Sequence, residues 1–104
     1  MSEKPKFTPG PWREGRSFEA IVADADTGHD DEKTLAAYGG HLVCESVRSD
    51  ANRALILAAP DLYAALLVAE LASEELCQGQ DPANECWVTL ATIRSALAKA
   101  QGEA

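Results

Sequence analysis

Chemistry-bearing patterns are scarce in this chain. Its three cysteines, Cys44, Cys77 and Cys86, include no Cys-x-x-Cys pair, and neither His29 nor His41 stands at a ligand spacing from them, so no zinc site is expected. Glycine is present seven times, but Gly39-Gly40 is too short to cradle a phosphate and no Walker or dinucleotide pattern occurs. Aromatics make up 6% of the residues. No run approaches the ~18 to 20 apolar residues of a membrane span, and no apolar signal core follows Met1-Ser2-Glu3-Lys4-Pro5-Lys6. The sequence therefore predicts a cytoplasmic protein without a membrane segment or cofactor, its thiols free and mostly buried. A stray Cys77–Cys86 disulfide at the mouth of a helical hairpin stays open as an alternative.

Bases are also few. Nine Lys and Arg stand against 17 Asp and Glu, a net charge of −8. The imbalance is even along the chain: ten acids to six bases in residues 1–50, seven to three in 51–104. Such a surface repels phosphate backbones and excludes sequence-independent binding of nucleic-acid polymers, while suiting a basic protein surface or simple solubility.

The 104 residues, 46% hydrophobic and 25% charged, match one ordinary globular domain spanning 1–104. Pro5, Pro9, Gly10 and Pro11 exclude a helix at the start, leaving residues 1–6 loose and Phe7 and Trp12 as anchors. A β region follows over residues 12–48. Ser17 to Ala25 reads as a strand, with Phe18 and Val22 on one face and Ile21 on the other; His41 to Val47 reads as a second, after the Gly39-Gly40 turn. Between them the acidic stretch Asp24 to Lys33 reads as a loop, and Thr34 to Tyr38 either finishes it or forms a short strand.

Residues 49–101 read as helical. Ser49 or Asp50 can cap a helix start, and Pro60 favours a break after Ala59 with a longer helix resuming to Cys77, one continuous helix kinked at Pro60 being the alternative. Leu62, Leu66, Ala69, Ser73 and Leu76 form its apolar stripe, with Glu70, Glu74 and Glu75 mainly off it. Gly79 ends this helix, and Asp81-Pro82 starts the last one, whose stripe is Ala83, Cys86, Leu90, Ile93, Leu97 and Ala100. The expected fold is α+β: a small antiparallel β-hairpin or three-stranded meander followed by two to three helices, the last two an antiparallel helical hairpin. The helix stripes leave open a homodimer or higher homo-oligomer.

The acidic stretch with His29, Asp30, Asp31 and Glu32 does not follow the calcium-loop spacing and reads as a solvated loop. His41 has no nucleophile or acid in a recognisable catalytic order, and Cys44 lies inside an apolar strand where a thiol is inert. No catalytic residue and no metal ligand is therefore assigned. The candidate ligand-binding set is Trp12, Arg13, Arg16, Arg48, Asn52 and Arg53, the one local basic and aromatic grouping, placed at a helix start whose free N–H groups favour anions.

Thr8-Pro9-Gly10-Pro11-Trp12, taken with Asp50-Ala51-Asn52 and with Leu55-Ile56 leading into Ala58-Ala59-Pro60-Asp61-Leu62, resembles a family of small phage and prophage accessory proteins. The two motifs bracket half of the chain. At Arg53-Ala54 the chain departs from the family, which more often has the small residue first; the shift turns the base by about 100° around the helix. The resemblance implies a phage origin and a bacterial host. With the acidic charge, it leads to the expectation of a non-enzymatic protein that binds and inhibits a host defence or regulatory protein. Two alternatives stand beside it, an oligomeric sponge for a small anionic nucleotide signal of bacterial immunity, and a structural or oligomerisation protein of the phage.

Overall fold

Short strands set by prolines and glycines precede long helices built of alanine and leucine. The computed structural model describes residues 6–16, 19–28 and 31–102. In chain order the elements are β1 (Trp12–Glu14), β2 (Ile21–Ala23), α1 (Glu32–Tyr38), β3 (His41–Cys44), α2 (Asp50–Cys77) and α3 (Glu85–Ala100). The fold is α+β, as the patterning predicts. The chain divides into two compact units, Met1–Asp61 and Leu62–Ala104.

The first unit holds a three-stranded antiparallel sheet in the order β1-β2-β3. Its central strand is shorter than the expected Ser17 to Ala25; Ser17 and Phe18 lie outside the described residues. Trp12 pairs with Ala23 and Glu14 with Ile21 on one side. On the other side Ile21 faces Cys44 and Val22 faces Leu42, so Val43 is the extra residue of a bulge. Ala20, Ile21, Val22 and Ala23 are all fully buried, which resolves the ambiguous facing of this strand: both of its faces are covered. Gly15 and Gly40 flank Val22 so closely that an added Cβ on either would sit 3.0 Å from one of its methyls. β3 is likewise shorter than the expected His41 to Val47 and stops at Cys44. Beyond it the Val47 N–H donates to the Glu19 carbonyl at 2.9 Å.

The stretch before β3 corrects the expected loop or strand, for Glu32 to Tyr38 is a helix capped at both ends. The Asp31 carboxylate accepts the Thr34 N–H at 2.9 Å, a bond that holds its pKa below the ordinary carboxylate value. Gly39 closes the helix in the left-handed region at φ 77°, its N–H donating to Leu35 O. Only glycine adopts that conformation without strain, and an added Cβ would also meet Arg16 Cβ at 3.3 Å. Gly39→Ala is expected to lower stability by about 1–2 kcal/mol in urea unfolding.

The helix starting at Asp50 corrects the expected break. α2 runs unbroken for 28 residues with Pro60 inside it. Pro60 forfeits one backbone bond, whereas ending and restarting a helix would require a second costly nucleus. Its start is as expected: Ser49 Oγ accepts the Asn52 N–H at 3.2 Å. Taken whole, α2 corrects the expectation that no run approaches a membrane span: it is long and apolar enough to meet the length and composition criterion for crossing one, with a mean hydropathy of 1.8 over an 18-residue window, because its leucines, alanines, Ile56 and Val68 outweigh Asp61 and Glu70.

In the second unit, α2 and α3 form the expected helical hairpin. Gly79 takes the left-handed conformation at φ 79°. α3 starts later than Asp81-Pro82 suggests: Asn84 is the N-cap, its side chain accepting the Cys86 N–H at 2.9 Å, while Asp81 caps a preceding turn through the Ala83 N–H. Leu90 and Leu97 are buried from α3 and Cys77 from α2. Arg94 bridges the two helices, bonding Glu70 at 3.0 Å and also Glu74.

Candidate functional site

Within the first unit the two motifs that resemble a phage family meet. Gly10 lies against the ring of Pro60, so close that an added Cβ would stand 2.5 Å from Pro60 Cβ and 3.0 Å from Cγ. The Gly10-Pro11 bond is cis, and the Trp12 indole N–H donates to Thr8 O at 3.1 Å. Phe7 packs edge-on to Trp12 with ring centroids 6.3 Å apart. The Pro-Gly-Pro-Trp segment is thus a folded plug seated on α2, and its glycine is required by contact with the proline of the other motif. Neither motif alone carries a signal for this contact. Gly10→Ala is expected to cost about 1–3 kcal/mol in chemical denaturation, because the proline ring has no rotamer with which to retreat.

Trp12, half-buried, therefore has a partner on both its polar and its apolar side. Arg13, on β1, bonds Asp24 at 2.9 Å and Gly39 O at 2.9 Å. Arg16 donates from its guanidinium to Ala36 O at 2.7 Å, and its backbone N–H donates to Tyr38 O at 2.7 Å. These two arginines satisfy free carbonyls at the end of α1. Arg53 is buried, 5% exposed. It donates to Val47 O at 2.7 Å, pairs with Asp50 one turn earlier, and reaches Glu14 on β1 at 3.5 Å. Arg48 and Asn52 are exposed near the start of α2. The geometry thus joins Arg53 to β1 and to the start of α2, while Arg13 and Arg16 are directed to α1.

His41 is half-buried with Nδ1 3.7 Å from an Asp26 oxygen. The Cys44 thiol is directed to Ser46 O at 3.7 Å. His29 and Asp30 of the acidic stretch lie outside the described residues. Among the described residues no three His, Cys, Asp or Glu side chains converge as a metal site would require.

Cys77 and Cys86 stand together at the loop end of the hairpin, at the last residue of α2 and the second of α3. Burial pushes the Cys77 thiol up to about 11, with the hydrogen bond to Cys86 adding to the rise and Arg94 opposing it. Below pH 9 both folded and unfolded chains keep this thiol protonated. As pH rises from 9 towards 11 the unfolded chain ionises first, so the fold loses this contribution. A melting-temperature profile over that range is expected to fall more steeply for the native chain than for Cys77→Ala.

A family model described as Salmonella phage P22 protein Y8K6 matches residues 1–104. The chain belongs to this phage protein family. No curated protein and no solved structure matches it.

Proposed function

We propose that this phage protein binds a host protein, a defence or regulatory component, and inhibits it in the cytoplasm of the bacterial host without catalysing a reaction. The family supports the phage setting. The observation that carries the binding reading is the disposition of charge. Arg13, Arg53 and Arg94 are turned onto the chain's own acids, and the protein as a whole keeps a net charge of −8. The field it presents to a partner is acidic, which steers association with a basic protein surface and repels nucleic acid.

Affinity capture from host lysate tests this. One specific partner with a basic surface is expected at about 50 mM salt and in reduced yield at about 200 mM, as screening shortens the reach of the field. Recovery of no specific partner at either salt overturns the reading.

A further inference from the structure

The second unit, residues 62–104, carries two of the three cysteines, and the hairpin brings them together. Cys77 ends α2 and Cys86 is the second residue of α3. The connection between them is held in place: the Gln80 N–H donates to Cys77 O at 3.0 Å, Gly79 takes its positive φ, and Asp81 and Asn84 cap the turns that lead into α3. Cys86 stands one helical turn before the buried Leu90, on the side of α3 that faces α2. The two thiols share a hydrogen bond. They differ in access, for Cys77 is 0% exposed while Cys86 is half-buried. Cys44 belongs to the other unit, where its thiol is directed to Ser46 O at 3.7 Å.

We propose that Cys77 and Cys86 are an oxidisable dithiol, converted by hydrogen peroxide to a disulfide that ties the loop end of the hairpin. The chemistry divides by access. Cys86 is the thiol that a small oxidant reaches. Its sulfur attacks the O–O bond of the peroxide and becomes a sulfenic acid, and the expelled hydroxide leaves with the thiol proton as water. The Cys77 sulfur then attacks the Cys86 sulfur, the S–O bond breaks, and the departing hydroxide carries the Cys77 proton away as a second water. Two thiols lose two electrons and one peroxide is reduced to two waters. Burial fits Cys77 to the second step and not the first, because it keeps the thiol protonated, pushed up to about 11, and away from solvent. Contact with Cys86 offsets that low reactivity once the sulfenic acid has formed. In a reducing compartment such a bond forms on exposure to oxidant and is reversed by thiols.

The full chain, reduced and then freed of reductant, is treated with a slight molar excess of hydrogen peroxide. The expected product is about 2 Da lighter by intact mass, and of the three free cysteines one is left for alkylation in denaturant. Cleavage before Asp81 should leave the Cys77 and Cys86 fragments joined until reductant is added. The oxidised chain should melt roughly 5–10 °C above the reduced one. With folding of both variants checked by circular dichroism, Cys86→Ser should keep both its remaining thiols and an unchanged melting temperature under peroxide. Cys77→Ala, in which the second step is blocked, should accumulate the sulfenic acid on Cys86, trapped by dimedone, a product that altered packing alone does not give. A disulfide through Cys44 or between two chains overturns the proposal. So does retention of all three thiols by the native chain under a peroxide excess that fully oxidises free cysteine, or a dimedone adduct on Cys44 and none on Cys86 in Cys77→Ala.

Discussion

Leu90→Ala is expected to lower the unfolding free energy by about 2–5 kcal/mol, the range for deleting a leucine from a packed site. Leu90 is 1% exposed and is the largest side chain buried in the second unit, where Cys86, Ile93 and Leu97 extend the inward side of α3. The hairpin has few other buried groups, so its neighbours cannot spread the loss, and the upper half of the range is expected. Leu66→Ala is the control. Leu66 shares the inward side of α2 but is only half-buried, and its removal should cost about half as much, since the exposed part of a side chain gains nothing from folding. Urea denaturation of both variants checks the ratio. Equal losses would mean that the two helices meet along a different line from the one through Cys77, Leu90 and Leu97.

That line was legible in the sequence because α3 repeats its apolar residues at helical spacing and carries capping residues ahead of it. The pattern was sound for α2 only in its middle. Leu66, Ala69 and Ser73 do face inward, but an alanine- and leucine-rich helix is apolar on nearly every side, so periodicity cannot say which side is covered. Glu70 and Glu74 lie mainly off the apolar stripe, which points them to water. They sit instead at the hairpin seam, where Arg94 bonds both, a pairing across 24 and 20 residues that no local pattern reveals. The helix Glu32 to Tyr38 was missed for the opposite reason. Its signals are present, Asp31 as N-cap, Glu32 in the first turn and Gly39 as the left-handed terminator, but the preceding acidic run has the composition of a loop and the helix is only seven residues long. At Pro60 the break and the continuous helix are separated only by a contest of magnitudes, one lost hydrogen bond against a new nucleus, and the continuous helix is the one formed.

Of the basic grouping the structure joins Arg53 to Glu14 of β1, and what each guanidinium bonds was not legible. Backbone carbonyls take Arg13 and Arg16, and carbonyl acceptors leave no trace in a sequence. At position 53 the guanidinium is turned onto Val47 O, the segment before α2, and onto Glu14 of β1. One residue later it would point about 100° away, where Ala54 is exposed.

Arg53→Ala is therefore expected to cost about 2–4 kcal/mol, because it leaves Val47 O without a charged donor at a buried position and removes the packing of the arginine stem. The ion pairs contribute the smaller share. Asp50 and Glu14 have side chains 85% and 58% exposed, and water screens such partners efficiently. Two outcomes follow from that division. Raising the salt to about 0.5 M should change the difference between native and variant by less than about 0.5 kcal/mol, since a hydrogen bond to a carbonyl is not screened as an exposed pair is. Arg53→Lys, which keeps the charge but cannot fork towards Val47 O, Asp50 and Glu14 together, should still lose about 1–2 kcal/mol. The double variant Arg53→Ala with Ala54→Arg moves the guanidinium by one position, and it should be no more stable than Arg53→Ala alone if position 53 acts through its burial. Recovery of native stability by that swap in urea melts would show that the charge near the start of α2, rather than the clasp on Val47 and β1, is what this residue supplies.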